Sequence, residues 1–323
     1  MQLDGHTKLP SLTDRANPFV DHVFDGRGEW LRFVLLAPLL VAQCAIGLSL
    51  LATHAFWSGT LALCLGTATL YGCYRPLCWL VCRGMLWTAG VCIEVNGRDE
   101  FNAAVATGGA FVVVANHQNL LDPFAVGAAV GPFSPVVKAN MASWPFFGTL
   151  VRAWKGVFVG RGHGAEADAI NRDLDLETRC RLGGIGTDSP PLMVFPEGTC
   201  TNGEHVLTFR HGAFAARAPI LPIALRWSLG AKLGPGFVHP HSSVALLLLR
   251  IMARCGPKRV TITVLPLHVP SAAEVADASG ATLARAVERT LATALAVPVS
   301  PYTNRDARAF YASLDSQYVA RET

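Results

Sequence analysis

Residues 110–123 read Ala-Phe-Val-Val-Val-Ala-Asn-His-Gln-Asn-Leu-Leu-Asp-Pro, and this stretch decides the fold of the chain. The apolar run at residues 110–115 predicts a buried strand. His117 follows that strand directly, on a predicted loop. Asp122 and Pro123 then resemble the start of a helix, because proline is favoured at the first helical position. A strand, a loop and a helix in this order are typical of an α/β sheet.

The same alternation continues on both sides of this stretch, from residue 94 to the end of the chain. Predicted strands are residues 110–115, 135–138, 156–160, 192–195, 220–225 and 260–267, and predicted helices are residues 124–130, 165–182 and 283–296. Ser271 and Glu274 predict a capping box at the start of a further short helix. Strands that alternate with helices favour a mostly parallel sheet flanked by helices. We therefore predict one α/β sandwich domain over residues 94–323.

The N-terminal third of the chain has a different composition. Hydrophobic residues make up 51% of the whole chain and charged residues 15%, whereas soluble domains carry about 25% charged residues. Residues 1–30 are polar, but residues 33–53 contain no charge, and this length can cross a bilayer. A second apolar run at residues 60–74 is shorter. We predict a polar segment at residues 1–30 and a membrane anchor at residues 31–93, with one or two transmembrane or interfacial helices.

Cationic residues flank the two apolar runs on the outside: Arg27, Arg32, Arg75 and Arg83. The positive-inside bias then predicts a helical hairpin with both ends in the cytosol. A single span, with the second run in the interface, is the alternative. The apolar stretch at residues 76–93 is predicted to lie along the membrane surface.

Composition also excludes several classes of partner and site. The net charge is +4 without any run of lysine or arginine, so nothing indicates nucleic acid binding. The nine cysteines contain no Cys-x-x-Cys pair, which argues against a zinc site or a disulfide framework, and we predict no metal. Neither a Gly-x-Ser-x-Gly elbow nor a phosphate-binding P-loop is present, which disfavours a serine hydrolase or a P-loop enzyme.

The residue types around His117 are those of general base catalysis. A carboxylate such as Asp122 can fix the imidazole tautomer and stabilise the imidazolium. A hydroxyl is too weakly acidic to attack a thioester unaided, so such a base suits acyl transfer. When this motif is taken alone, a loop histidine that is capped by chance is the favoured explanation.

A second polar block, Phe195-Pro-Glu197-Gly198-Thr199-Cys200-Thr201-Asn202, follows the predicted strand at residues 192–195. The carboxyl edge of an open α/β sheet is where polar ligands bind, although a simple turn remains the alternative. Three cations also follow predicted strands or lie in nearby loops: Lys138, Arg161 and Arg210. They would suit a phosphate if they converge, and each alone fits a solvated surface charge.

Taken together, four blocks resemble the glycerolipid acyltransferase family, which includes the 1-acylglycerol-3-phosphate acyltransferases. They are residues 116–123, 156–161, 195–199 and 218–225, in the order and at the strand ends that the family has. The lysophosphatidylcholine acyltransferase branch is more similar still. The resemblance to it covers nearly the whole chain, including Asn-Pro-Phe-Val at residues 17–20, Phe-Arg-His-Gly-Ala-Phe at residues 209–214 and the stretch at residues 295–299.

This resemblance implies a role for each candidate residue. His117 is expected to be the base and Asp122 its orienting partner. The expected acceptor-binding residues are Arg161, Glu197, Gly198 and Thr199, with Lys138 and Arg210 near the acceptor phosphate. Acyl-CoA is implied as a co-substrate, with no cofactor. Cys200 departs from the wider family, which usually has arginine there, and no calcium-loop pattern is present.

The sequence thus predicts an acyl-CoA-dependent acyltransferase that acts on the free hydroxyl of lysophosphatidylcholine or lysophosphatidylethanolamine, in phospholipid biosynthesis and remodelling. Its expected place is a membrane, that of the endoplasmic reticulum, with the catalytic domain facing the cytosol. Acylation of lysophosphatidate or glycerol 3-phosphate is one alternative. A non-catalytic lipid-binding membrane protein is another, and the presence of His117, Asp122, Glu197 and Arg161 disfavours it.

Overall fold

The computed structural model describes residues 18, 38–39, 41–50, 52–54, 56–57, 78–144, 147–160, 190–229, 251–252, 257–310 and 312. Nine strands are present in this part of the chain: β1 Val91–Asn96, β2 Val112–Ala115, β3 Ser134–Lys138, β4 Val157–Val159, β5 Leu192–Val194, β6 Val206–Leu207, β7 Ile220–Leu229, β8 Lys258–Val264 and β9 Val299–Ser300. Helix α1 includes residues 78–88, and α2 to α6 are Arg98–Ala106, Asp122–Val130, Phe147–Ala153, Ala272–Ala276 and Ala281–Leu295. Short 3₁₀ helices lie at Ala139–Ser143 and His211–Phe214, and residues 304–310 are helical.

Seven of the strands form one sheet in the order β1-β8-β7-β2-β5-β3-β4. Every neighbouring pair is parallel except β7 and β8, which are antiparallel. The predicted mostly parallel α/β sheet is therefore confirmed. Strands β7, β2, β5, β3 and β4 run in one direction, so their carboxyl ends meet at one edge of the sheet, where ligands of such sheets bind.

Strand β2 lies in the middle of the sheet and is buried on both faces, as its unbroken apolar sequence predicts. Successive side chains point to opposite faces. Val113 therefore packs in a core with α1 and α3, whereas Val112 and Val114 pack in a second core with α6. The buried stripe of α6 is the one predicted at four-residue spacing: Leu283, Val287, Leu291 and Leu295.

Several element predictions are confirmed and others are corrected. The Ser271–Glu274 capping box is present at the start of α5. Helices α2 and α4 and strand β1 were not predicted, while the predicted helix at residues 165–182 lies outside the described residues. Strand β1 begins at Val91, inside the segment at residues 31–93 that was assigned to the anchor. The Val91 side chain lies in the core of the domain.

Helix α1 occupies the stretch that was predicted to lie along the membrane surface. One face of it packs into the core, with Cys78, Cys82 and Leu86 fully buried, and its position along a membrane surface stays a prediction. The spacing of four residues places these three side chains together. Leu80 and Trp87, on other faces, are 57% and 70% exposed.

Helical residues 41–50 lie against α1. A Cβ built on Gly47 would lie 3.4 Å from Thr88 Oγ1, and one built on Gly84 would lie 2.9 Å from Leu50 Cδ1. These two glycines therefore allow the two helical segments to approach each other closely. Among the residues described, no helix combines the length and the apolar character that a membrane crossing requires. The predicted second apolar run at residues 60–74 lies outside the described residues.

Candidate active site

The predicted pair of His117 and Asp122 is formed. His117 Nδ1 lies 2.7 Å from Asp122 Oδ2. The Asp122 side chain is fully buried at the start of α3, whereas the His117 side chain is 21% exposed. The carboxylate therefore occupies the Nδ1 side of the imidazole.

Asp122 is held by three further donors. The backbone amides of Gln118 and Asn119 donate to Oδ2 at 2.5 and 2.8 Å, and Trp227 Nε1 donates to Oδ1 at 2.7 Å. Trp227 lies on β7, the strand next to β2. These hydrogen bonds hold the carboxyl group that faces the imidazole in a fixed orientation.

Hydrogen bonds connect the loop that carries His117 to strand β7. Asn116 Nδ2 donates to the Leu225 carbonyl at 3.0 Å and Asn116 Oδ1 accepts from the Leu225 amide at 2.8 Å. Gln118 Nε2 donates to the same carbonyl at 3.0 Å. The chain leaves β2 with its backbone pinned to the neighbouring strand, which limits the positions that His117 can take.

The second predicted block contacts the first directly. Glu197 is fully buried after β5. Its Oε1 accepts from the His117 amide at 2.8 Å and its Oε2 from the Leu207 amide at 3.3 Å. The Thr201 amide donates to the His117 carbonyl at 2.9 Å. In this structure Glu197 therefore positions the backbone of His117, and its acceptor-binding role stays a prediction.

The imidazole of His117 is enclosed by apolar and sulfur-containing groups. Its ring stacks on Phe195 with centroids 4.3 Å apart and planes inclined by 17°. Burial disfavours the imidazolium, but attraction to Cys200 and the hydrogen bond and charge of Asp122 outweigh burial and raise the pKa of His117 to about 10. The neutral form, which can accept a proton, therefore gains population as the pH rises.

Glu197 is a buried acid between two backbone donors. Burial raises the pKa of Glu197 to about 8, although the amides of His117 and Leu207 oppose the shift. The positive charge of the protonated His117 imidazole also opposes the shift, but burial outweighs these effects. A negative charge is thus costly here, which favours a structural link over direct anion chemistry.

The turn at Gly198 is approached by the side chains of Arg210 and Asn304. Gly198 has φ of 66°, a left-handed conformation that favours glycine. A Cβ at Gly198 would lie 3.2 Å from Arg210 Cδ and 3.3 Å from Asn304 Nδ2. Asn304 Nδ2 donates to the Gly198 carbonyl at 2.6 Å, and the Arg210 amide donates to the Pro196 carbonyl at 3.0 Å.

The remaining predicted residues differ in their placement. Thr199 is half-buried next to Gly198. Lys138 is the last residue of β3 and is exposed. Because β5 lies between β3 and β2 in the sheet, the Cα of Lys138 is about 10 Å away from β2. Arg161 lies outside the described residues, one position after Gly160. The structure thus brings His117, Asp122, Glu197, Gly198 and Arg210 into one region and leaves Lys138 at its border.

Sequence reasoning missed the residues that hold the pair in place. The prediction of the site did not include Trp227, Phe195 or Asn304, although Phe195 is the first residue of the second polar block. No local signal marks Trp227 or Asn304, because each contacts the site from more than one hundred residues away in sequence. Asn116 begins the quoted histidine block, and its side chain was the available signal for the contact with β7.

The chain is similar in sequence to known acyltransferases. Residues 92–226 match the family model described as Acyltransferase. The chain is 32% identical over 229 residues to lysophosphatidylcholine acyltransferase 1 of Rattus norvegicus, with 68% of this chain and 39% of that protein covered. It is 29% identical over 302 residues to lysophosphatidylcholine acyltransferase 2 of Mus musculus, with 90% and 53% covered. The chain thus spans about half the length, or less, of these relatives.

A solved structure is also similar, that of the 1-acyl-sn-glycerophosphate (LPA) acyltransferase PlsC from Thermotoga maritima. The likeness has 17% identity and a TM-score of 0.41, and it covers 77% of this chain and 95% of that one. The matched residues 92–226 contain His117, Asp122 and Glu197. The resemblance predicted from the four sequence blocks is confirmed, and the chain belongs to the acyltransferase family.

Proposed function

We propose that the protein is an acyl-CoA-dependent O-acyltransferase that acts on the free hydroxyl of a lysophospholipid, in phospholipid biosynthesis and remodelling. The observation that carries the proposal is the pair of His117 and Asp122, whose side chains meet at 2.7 Å at the carboxyl edge of the sheet. A partly exposed imidazole that is oriented by a buried carboxylate is the arrangement of a general base.

The proposed reaction is a direct transfer. The acceptor hydroxyl oxygen attacks the thioester carbonyl carbon while His117 Nε2 takes the hydroxyl proton. The carbon–sulfur bond then breaks, and the CoA thiolate leaves and recovers the proton from His117. Asp122 stabilises the imidazolium between these steps. A thioester is already activated, so the reaction needs no covalent acyl-enzyme.

The proposed acceptors are lysophosphatidylcholine and lysophosphatidylethanolamine. Two features support them: the relatives named above are lysophosphatidylcholine acyltransferases, and Cys200 stands where a further arginine is usual in the wider family. A phosphodiester carries one negative charge and a terminal phosphomonoester nearly two at neutral pH, so fewer cations are needed to offset its desolvation.

The proposed location is the cytosolic face of the endoplasmic reticulum membrane, with the domain at residues 94–323 behind an anchor at residues 31–93. Large apolar side chains are exposed on the N-terminal helical residues and on α1 of the described structure: Leu39, Val41, Ile46, Leu48, Phe56, Trp57, Leu80 and Trp87. An exposed apolar surface of this kind is typical of membrane contact.

The test is an acceptor panel. Membranes that contain the expressed protein receive acyl-CoA with lysophosphatidylcholine, lysophosphatidylethanolamine, lysophosphatidate or glycerol 3-phosphate, and the acylated product is measured. We expect the two phosphodiester lysolipids to be the preferred acceptors. His117→Ala should lower turnover by about 10²–10⁴-fold and Asp122→Asn should lower it severely, since a general base contributes that much.

Three outcomes separate the candidates. Preference for lysophosphatidate or glycerol 3-phosphate would reject the acceptor and retain the base. Full activity of a folded His117→Ala protein would reject the mechanism. Lipid binding by the wild type without any turnover would favour the non-catalytic alternative.

A further inference from the structure

A group of polar side chains from the C-terminal part of the chain lies beside the turn of residues 197–199. Asn304 begins the helical residues 304–310 and donates to the Gly198 carbonyl at 2.6 Å. Arg210 also approaches this glycine, with its Cδ 3.2 Å from the Gly198 Cβ position. The acyltransferase family model matches residues 92–226 and so does not cover residues 304–310. The contact of Asn304 with the turn therefore comes from a part of the chain outside that match.

Arg308 lies four residues after Asn304. In a helix, residues at this spacing lie on the same face, so Arg308 is on the side of the helix that faces Gly198 and Arg210. Asp306 is used locally, because its Oδ2 accepts from the Thr303 amide and hydroxyl at 2.7 Å. Within the part of the chain that the structure describes, neither Arg210 nor Arg308 has a carboxylate ion-pair partner.

Two guanidinium groups that lie near one another without a carboxylate repel. Burial lowers the pKa of Arg210, and the positive charge of Arg308 lowers it further, which places the two guanidinium groups within electrostatic range of each other. A bound phosphate would remove this repulsion, since guanidinium groups bind phosphate oxygens in a bidentate manner.

We propose that Arg308 joins Arg210 to form a binding site for a phosphate group of the substrate, next to the turn at Gly198. This inference rests on the proposed function for its substrate. The phosphate has two possible sources, the phosphodiester of the lysolipid and the phosphates of coenzyme A. The position beside Gly198, in the predicted acceptor-binding turn, favours the lysolipid.

The experiment compares the wild type with Arg308→Ala and Arg308→Lys. The kinetic arm measures KM for lysophosphatidylcholine and for acyl-CoA together with kcat, and a second arm measures equilibrium binding of lysophosphatidylcholine and of coenzyme A. We expect Arg308→Ala to raise KM and Kd for the lysolipid about tenfold, the loss expected for a hydrogen bond to a charged group. The values for the CoA ligands and kcat should change little, and Arg308→Lys should restore part of the loss.

Arg259→Ala is the charge-matched control, because its guanidinium already pairs with Glu94 at 3.2 Å on β8, near the other edge of the sheet. A rise confined to acyl-CoA and coenzyme A would assign the phosphate to that ligand. Unchanged values for both ligands, or an equal effect of Arg259→Ala, would overturn the site. A wild type that binds both ligands without turnover would reject the proposed function, while its binding data still decide the role of Arg308.

Discussion

At the scale of single residues, the site depends on which charges face the His117 imidazole. Asp122 lies 2.7 Å from Nδ1, and the buried Cys200 raises the pKa of the imidazole together with Asp122. Both effects favour the protonated ring, whereas a general base must accept a proton in its neutral form. The pH at which turnover begins is therefore a direct measure of these two neighbours.

We expect Cys200→Ser to move the acidic limb of the pH profile to lower pH. In the wild type kcat/KM should rise with pH as His117 loses its proton, and the pKa of about 10 places this limb well above the ordinary value for histidine. Replacement of Cys200 removes one cause of the raised pKa, so more of the ring is neutral near pH 7. The measurement is kcat/KM for the lysolipid from about pH 6 to about pH 10.

The same variant separates two mechanisms. Turnover that persists in Cys200→Ser agrees with direct transfer, while complete loss in a folded protein would indicate a cysteine nucleophile. An acidic limb that stays in place would mean that Cys200 does not set the pKa of His117.

At the scale of elements, α6 holds the segment that carries Arg210. Glu288 is a buried residue of α6, and its Oε2 accepts from the Phe209 amide at 2.8 Å. Burial raises the pKa of Glu288, and the Phe209 amide and nearby arginines oppose the rise. At the start of the same helix, a Cβ on Gly280 would lie 2.6 Å from the Phe214 carbonyl carbon. One helix thus fixes both ends of the segment from Phe209 to Phe214.

We expect Gly280→Ala to destabilise the protein more than Gly108→Ala. Both glycines have a left-handed backbone, with φ of 71° and 67°, so each alanine costs about 1–2 kcal/mol for that conformation. Only Gly280 also meets backbone atoms, whereas nothing lies within 4 Å of a Cβ on Gly108. Displacement of backbone adds about 1–3 kcal/mol, and the Tm should fall by about 2–4 °C for each extra kcal/mol. Equal Tm values for the two variants would contradict the proposed contact between α6 and the 3₁₀ turn.

At the scale of the whole molecule, the N-terminal helical residues connect the exposed apolar side chains to the α/β domain. Trp154 Nε1, after α4, donates to His54 Nε2 at 3.0 Å, and Cys44 Sγ lies 3.9 Å from Met252 Sδ. These contacts tie residues 41–54 to the core that also receives α1 and α3. A membrane that binds the exposed apolar side chains would therefore hold the domain close to its surface.

We expect tags placed before residue 1 and after residue 323 to lie on the same, cytosolic side of sealed microsomes. The reason is the outer position of Arg27, Arg32, Arg75 and Arg83 around an uncharged turn. Protease treatment of intact and of detergent-opened vesicles measures the accessibility of each tag. Protection of one tag only would indicate a single span. A second protein whose tag is known to lie in the lumen is the control for the integrity of the vesicles.

The sequence by itself determined the parts of this protein that are local in the chain. The apolar run before His117 and the start of α3 at Asp122-Pro123 lie within fourteen consecutive residues. They specify a central strand, a loop and a helix, because strand burial and helix starts depend on neighbouring residues. The resemblance of this stretch to the acyltransferase family then predicted the pair of His117 and Asp122, whose side chains meet at 2.7 Å.

Only the tertiary structure decided which distant groups complete the site. The sheet order places β7 and β5 on either side of β2, so Trp227 and Glu197 reach the His117 loop although they are 105 and 80 residues away from their partners. Asn304 reaches Gly198 across 106 residues. The physical reason is that such contacts follow from the order of strands and the packing of helices on them. Neither is encoded in the spacing of the residues that meet.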